Sequence, residues 1–459
     1  MLVILGFLMV AAFMFLILTK RATPVVALIL VPVIFGLFAG AGLGIGDMIT
    51  DGIKSLAPTA ALLFFAIIFF GIMIDVGLFD PLVRGILRLV RNDPMKLVVG
   101  TAVLAMVVSL DGDGSTTFII VTSALLPLYL KLGVSPVILT VVAGLANGTM
   151  NIIPWGGPTV RAASALGISP SEVFVPMVPS LIAGLVIVLL FSIHLGLMER
   201  RRLGSLVFDQ EMVSVGGGGD TGRPARRTGG GAGGDSDGGA GQFIDGLDPQ
   251  RDTLRPKLLW FNAALTVALL VVLVMDILPI PVLFMIAASI ALTVNFPKVK
   301  EQGEAIARHS ASIVSVVAMV LAAAVLTGVF SGTGMVEAMA EWLLGVIPSS
   351  MGPFLAVITG VLSIPLTFFM TNDAFYFGIL PVLTETAAQY GIEPVEMARA
   401  SITGQPVHLQ SPLVPAILLL VTLAGVSLAD HHKKVLWRAT VVSLAMLAVG
   451  VLLGQIPMG

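Results

Sequence analysis

The stretch "VVSLDGDGSTTFIIV", residues 107–121, sits inside an apolar run that extends from residue 96 to residue 131. An acidic side chain at the centre of a membrane helix costs roughly 2.5–3.5 kcal/mol on insertion scales. Here Asp111 and Asp113 flank Gly112, and Gly114, Ser115, Thr116 and Thr117 follow directly. Two carboxylates around a helix-breaking glycine argue against a plain crossing. They argue for a polar turn held at membrane depth.

The surrounding chain sets the context. Of 459 residues, 57% are hydrophobic and 11% charged, against about 25% charged in a soluble domain. Apolar runs near membrane-spanning length recur throughout, which predicts an all-α polytopic membrane protein. There is no cysteine, so disulfides, iron–sulfur clusters and thiolate zinc sites are excluded. Residues 1–19 lack a basic n-region and a small-residue cleavage site, and read as a first transmembrane helix. The net charge of -2 carries little information on partners, and no motif points to nucleic acid.

Three plain spans lie near 2–19, 23–42 and 57–78, then an amphipathic segment within "GLFDPLVRGILRLVRNDP" (77–94). The interrupted run 96–131 follows, then 135–165, broken by "NGTMNIIPWGGP", and another plain span near 173–197. Residues 213–242 are too glycine-rich to pack and read as a flexible tether. The pattern then recurs: plain spans near 257–275, 278–296 and 309–330, and the amphipathic "GMVEAMAEWLLGVIP" (334–348). After these come a run broken by "TNDAF" (352–390), a run broken by "TGQPVHLQSP" (394–428), and a last span near 434–456.

The halves align at a nearly constant offset. Gly77 matches Gly334 and Phe118 matches Phe375 at 257 residues; Gly133 matches Gly391, Pro136 matches Pro394 and Pro154 matches Pro412 at 258. Two homologous repeats are expected, 1–200 and 256–459, joined by a linker at 201–255.

Charge orients them. If 96–131 and 352–390 enter the membrane and return, each repeat has five crossings and the second is inverted. All but three of the 25 Lys and Arg then fall on one side, the exceptions being Lys54, Arg161 and Arg399. By the positive-inside rule that side is the cytoplasm. Both termini are then extracellular, and the linker is cytoplasmic. The arm from Lys96 to Asp111, about 22 Å of helix, reaches deep into a core of roughly 30 Å without clearly crossing it. The expected architecture is two inverted repeats, each with five transmembrane segments, one of them broken, plus one re-entrant hairpin.

Inverted repeats with broken helices describe a secondary transporter, whose freed backbone groups bind the cargo near the midplane. The candidate ligand-binding residues are Ser115, Thr116, Thr117, Asn147, Gly148, Thr149, Asn151, Thr371, Asn372, Gln405, Pro406, His408, Gln410 and Ser411. Asp111, Asp113 and Asp373 are candidates for a metal ion or a proton, and Arg161 and Arg399 for charge partners. Asp75 and His194, near the ends of plain spans, read as structural. The oxygen-rich set suits Na⁺, Mg²⁺ or Ca²⁺. Burial also favours a protonated carboxyl, so metal and proton both remain open. Five histidines, no cysteine and no catalytic constellation speak against an enzyme.

"SLDGDGSTTF", "LANGTMNIIPWGGPT", "MTNDAF" and "TGQPVHLQSPLVPA" resemble the citrate–metal–proton symporters, the CitMHS family of the ion transporter superfamily. The resemblance covers the chain outside the linker. It implies a secondary active transporter that imports citrate as a divalent-metal complex coupled to protons, with Mg²⁺ or Ca²⁺ as co-substrate and no tightly bound cofactor. Relatives carry Ser-Asn-Thr motifs at the hairpin tips. This chain departs from that pattern by adding aspartates, which favours a more positively charged species than Na⁺ alone. The resemblance further implies an elevator motion of hairpins and broken helices against a scaffold of plain spans, and a homodimer through that scaffold. The alternative is a Na⁺- or H⁺-coupled transporter of another carboxylate, gluconate or a dicarboxylate.

Overall fold

The computed structural model describes residues 1–19, 21–90, 93–214, 251–275, 277–346, 348 and 350–458. The tether expected at 213–242 lies outside the described residues over nearly all its length.

The first half runs α1 (Leu2–Leu18), α2 (Pro24–Phe38), α3 (Ile45–Asp75), α4 (Asp80–Val90), α5 (Pro94–Val108), α6 (Gly114–Lys131), α7 (Pro136–Met150), α8 (Gly157–Leu166), α9 (Pro170–Phe174) and α10 (Val178–Ser214). The second half runs α11 (Leu259–Val274), α12 (Ile280–Asn295), α13 (Val299–Arg308), α14 (Ser310–Gly332), α15 (Met335–Val346) and α16 (Leu355–Phe369). It continues with a π-helical turn (Ala374–Ile379) into α17 (Leu380–Ala388), then α18 (Pro394–Ser401), α19 (Gln405–His408), α20 (Pro415–Leu423) and α21 (Leu428–Leu452). Among the described residues, eight helices are long and apolar enough to cross a bilayer.

Local chemistry explains the breaks. α5 ends in a 3₁₀ turn over Ser109–Asp111, and Gly112 takes the left-handed conformation at φ 80°. An L side chain resists that conformation, so the chain reverses here and α6 begins two residues later. α5, α7, α8 and α18 each open with proline in the first turn, where its missing N–H costs nothing. The interruptions at 109–113, 151–156, 370–373 and 409–414 fall where the polar motifs stand.

Three elements differ from the sequence expectation. α3 begins twelve residues before 57, with Asp51 and Lys54 paired at 2.9 Å on its exposed first turns. Its counterpart 257 residues on is the unforeseen amphipathic α13, which runs into α14 through His309. Polar residues at helical spacing extend these helices beyond their apolar cores, and hydropathy alone does not see them. Third, α10 and α21, read as plain spans, pack against α7 and each other, and α10 also against α5. α10 buries a stripe of Leu181, Val188, Ser192 and Leu195 and exposes Ile182, Val186 and Leu190. A helix apolar on every face hides which stripe packs.

Packing gathers two groups. α3 packs against both α12 and α14, and α2 against α14. The arms α5, α6 and α16 pack with α7, α10, α20 and α21. The polar breaks lie where these groups meet.

Candidate functional site

At the first break, Asp113 caps α6. Its carboxylate accepts from the amides of Ser115 at 3.2 Å and Thr116 at 2.9 Å, and from the Thr116 hydroxyl at 2.6 Å. Asp111 in turn accepts from the Asp113 amide at 2.9 Å. The tip is thus built from carboxylates holding N–H groups at a helix N-terminus, where negative charge is favoured. Behind it Asn147 donates to the Ser109 hydroxyl at 2.9 Å and to Thr117 at 3.5 Å, and Ser109 and Thr117 lie 3.2 Å apart. The Trp155 indole donates to the Leu110 carbonyl at 2.8 Å.

The second break repeats the logic with different residues. Thr371 accepts from the Ala374 amide at 3.2 Å, 258 residues after the Asp113 cap. Gln405, 258 residues after Asn147, donates to Asn372 at 3.2 Å and to the Tyr376 hydroxyl at 2.8 Å. The carbonyls freed at the end of α16 are satisfied from the broken helix. His408 donates to Thr367 at 2.5 Å and Ser411 to Phe368 at 2.6 Å. Gln410 donates to the carbonyls of Gly144 and Pro406 and meets His431 at 3.0 Å. In this conformation His408, Gln410 and Ser411 hold backbone.

Arg161 joins the halves. From α8 it pairs with Asp373 at 2.6 Å and donates to the Gly157 carbonyl at 3.0 Å. Arg399 lies apart, donating to the Glu172 carbonyl at an exposed position. Thr149 donates to Leu145 within its own helix. Asn151 stands at the end of α7 where the break begins.

A cavity of about 1060 Å³ adjoins the first tip, lined by Asp111, Gly112, Asp113, Thr116, Trp155 and Arg161. Its lining passes Arg308 at the end of α13 and then follows α14 from Ala311 to Val320, about 14 Å of helix. A second polar group shares it: Asp75 accepts from Arg308 at 3.0 Å and from His309 at 3.1 Å, and Arg251 donates to the Asp75 carbonyl at 2.9 Å. Sequence reasoning missed this group. Asp75 carried the only local signal, an acid at the end of an apolar span; its partners come from 176 to 234 residues away. Among the described residues, no three His, Cys, Asp or Glu side chains converge on a metal site.

The family model for CitMHS, described as "Citrate transporter", matches residues 13–404. The chain belongs to the CitMHS citrate transporter family. Its relatives in Bacillus subtilis (strain 168) include a protein named "Citrate transporter", 48% identical over 99% of this chain and all of that one. Another, named "Mg(2+)/citrate complex secondary transporter", is 47% identical over 99% of each chain. A third, named "Uncharacterized transporter YraO", is 43% identical over 99% of each. Among solved structures, the YdaH transporter of Alcanivorax borkumensis shares the fold at a TM-score of 0.56 and 13% identity, over 90% of this chain and 88% of that one. The CitMHS family consists of transporters rather than enzymes.

In this CitMHS chain the two broken helices meet at one point. A Cβ on Gly148 would lie 3.1 Å from the Pro406 Cα and 3.2 Å from its carbonyl oxygen. Backbone cannot step aside as a side chain can, so Gly148→Ala is expected to destabilise by about 1–3 kcal/mol through overpacking. A lowered thermal midpoint in detergent would register it; an unchanged midpoint would show that the contact is looser than the geometry implies.

Proposed function

We propose that this chain imports citrate as a complex with a divalent cation, of the Mg²⁺ or Ca²⁺ type, coupled to protons across the cytoplasmic membrane. The observation that carries the reading is the charge around one cavity: Asp111 and Asp113 at a backbone break, with the Arg161 guanidinium lining the same space. A tricarboxylate bound to a divalent ion keeps a net charge of about minus one and offers oxygens of its own to the metal. The protein then needs few metal ligands, consistent with a tip of two carboxylates. In this reading Asp111 and Asp113 contact the metal or a proton, while Ser115, Thr116, Thr117, Asn147, Asn372 and Gln405 serve the carboxylates. Asp373 holds Arg161 toward them. The relative named for Mg²⁺/citrate supports the cargo.

Paired contacts support two inverted repeats, 1–200 and 256–459. Gly71 lies under the His309 ring and Gly52 lies against Gly328; adding or subtracting 257 turns one contact into the other. Gly148 and Pro406, 258 apart, touch each other. The Lys and Arg asymmetry supports extracellular termini and a cytoplasmic linker. In an elevator motion, hairpins and broken helices slide as one body against the α3–α14 core. A homodimer through that core completes the proposal.

The test is citrate uptake into proteoliposomes with Mg²⁺, Ca²⁺, Na⁺ and the pH gradient varied independently. Uptake that requires a divalent ion and an inward proton gradient is the expected result. Uptake that follows Na⁺ and ignores both divalent ions overturns it in favour of another coupled carboxylate carrier.

A further inference from the structure

Trp155 occupies the break between α7 and α8, and its ring lines the cavity beside the first tip. The residue is 6% exposed. Its indole N–H donates to the Leu110 carbonyl at 2.8 Å. Leu110 lies in the 3₁₀ turn where α5 runs out, so this carbonyl has left the helical ladder at membrane depth. An unpaired carbonyl there costs several kcal/mol. A Cβ at Gly112 would stand 3.0 Å from the Trp155 ring, so ring and turn fit closely. The ring also meets Phe70 of α3 at 5.1 Å and Phe284 of α12 at 4.9 Å. One side chain therefore holds the backbone between Ser109 and Asp113 and rests on the helix group across the cavity.

We propose that Trp155 is a positioning residue for the cation side of the cargo. By fixing the Leu110 carbonyl it sets the direction in which Asp111 and Asp113 present their oxygens to a divalent ion bound to a polycarboxylate. Trp155 itself donates to backbone and coordinates nothing. The inference rests on the metal–citrate reading above. It adds a residue whose effect falls on metal affinity before it falls on transport rate.

The separating variant is Trp155→Phe, which keeps an aromatic ring against Phe70 and Phe284 and removes the N–H. Groups that orient metal ligands from outside typically change metal affinity by about 10–100-fold when replaced. In proteoliposomes W155F is expected to raise the half-saturating Mg²⁺ concentration for citrate uptake about tenfold. Its maximal rate should stay within about twofold of wild type, because only the orienting bond is lost. Unchanged half-saturation, or a fall in maximal rate alone, overturns the proposal and leaves Trp155 a packing residue.

A second measurement stands apart from transport. The other tryptophans, Trp260, Trp342 and Trp437, are exposed, and replacing them by Phe leaves Trp155 as sole emitter. Its fluorescence is expected to change when Mg²⁺ and citrate are added together. A flat titration overturns the proposal. Wild-type uptake indifferent to every divalent ion would instead sink the metal–citrate reading and the cation-positioning role with it, whereas divalent-dependent wild-type uptake with an unshifted W155F half-saturation overturns the Trp155 proposal alone.

Discussion

Asparagine at position 113 is expected to lower Mg²⁺-dependent citrate uptake by about a hundredfold or more, at the upper end of or beyond what outer-shell substitutions cost at metal sites. Asp113 does two things at once. It caps α6 through the Ser115 and Thr116 amides and the Thr116 hydroxyl, and it brings a negative charge to the cavity. Asparagine caps helices about as well as aspartate, so Asp113→Asn keeps the Thr116 part of the cap, gives up the bond from the Ser115 amide to the second oxygen, and removes the charge. Asp113→Ala removes both, at a further cost of about 1 kcal/mol in helix stability. Protein yield and thermal midpoint should therefore separate the two variants, while uptake should be lost in each. If Asp113→Asn transports like wild type, the carboxylate is a cap and nothing more, and the cation must be handled by Asp111 or by the cargo alone.

Much of this arrangement is legible in the sequence because membrane burial leaves polar residues so few excuses. The four breaks announce themselves as Asp, Asn, Gly and Pro in runs that are otherwise apolar, and the described helices stop at those places. Asn147 and Gln405, read on the two broken helices, make hydrogen bonds to Ser109 and to Asn372 and Tyr376, as a buried amide must find partners. What the sequence conceals is long-range pairing. Nothing near Arg161 names Asp373, 212 residues away, and nothing near Asp75 names His309. His408, Gln410 and Ser411 show the limit from the other side. Their polarity marks them as special, yet the geometry sets His408 and Ser411 on carbonyls freed at the end of α16 and Gln410 on the carbonyls of Gly144 and Pro406. Composition does not distinguish a side chain that satisfies backbone from one that awaits a ligand. The same ambiguity hides Trp155, whose motif "WGGP" flags a break without revealing which carbonyl the indole serves.

The Arg161–Asp373 pair should give the other large effect. The Asp373 side chain is 9% exposed and that of Arg161 is 26%. Removing one partner of a buried pair strands the other charge, typically at a cost of 3–5 kcal/mol; with Arg161 partly exposed, about 3 kcal/mol is expected for Asp373→Asn. The thermal midpoint in detergent should fall, and uptake should fall with it, since a freed guanidinium no longer points where Asp373 held it. A double variant, Arg161→Gln with Asp373→Asn, removes both charges. It should recover much of the stability, because the penalty lies in the stranded charge rather than in the lost attraction. Uptake should stay low in the double variant, because the cation that would meet the cargo's carboxylates is gone. That split between stability and transport is what assigns Arg161 to the cargo. If stability and uptake both return in the double variant, the pair is a strut between the two halves. If Asp373→Asn alone is stable and active, the 2.6 Å contact contributes little to either fold or transport.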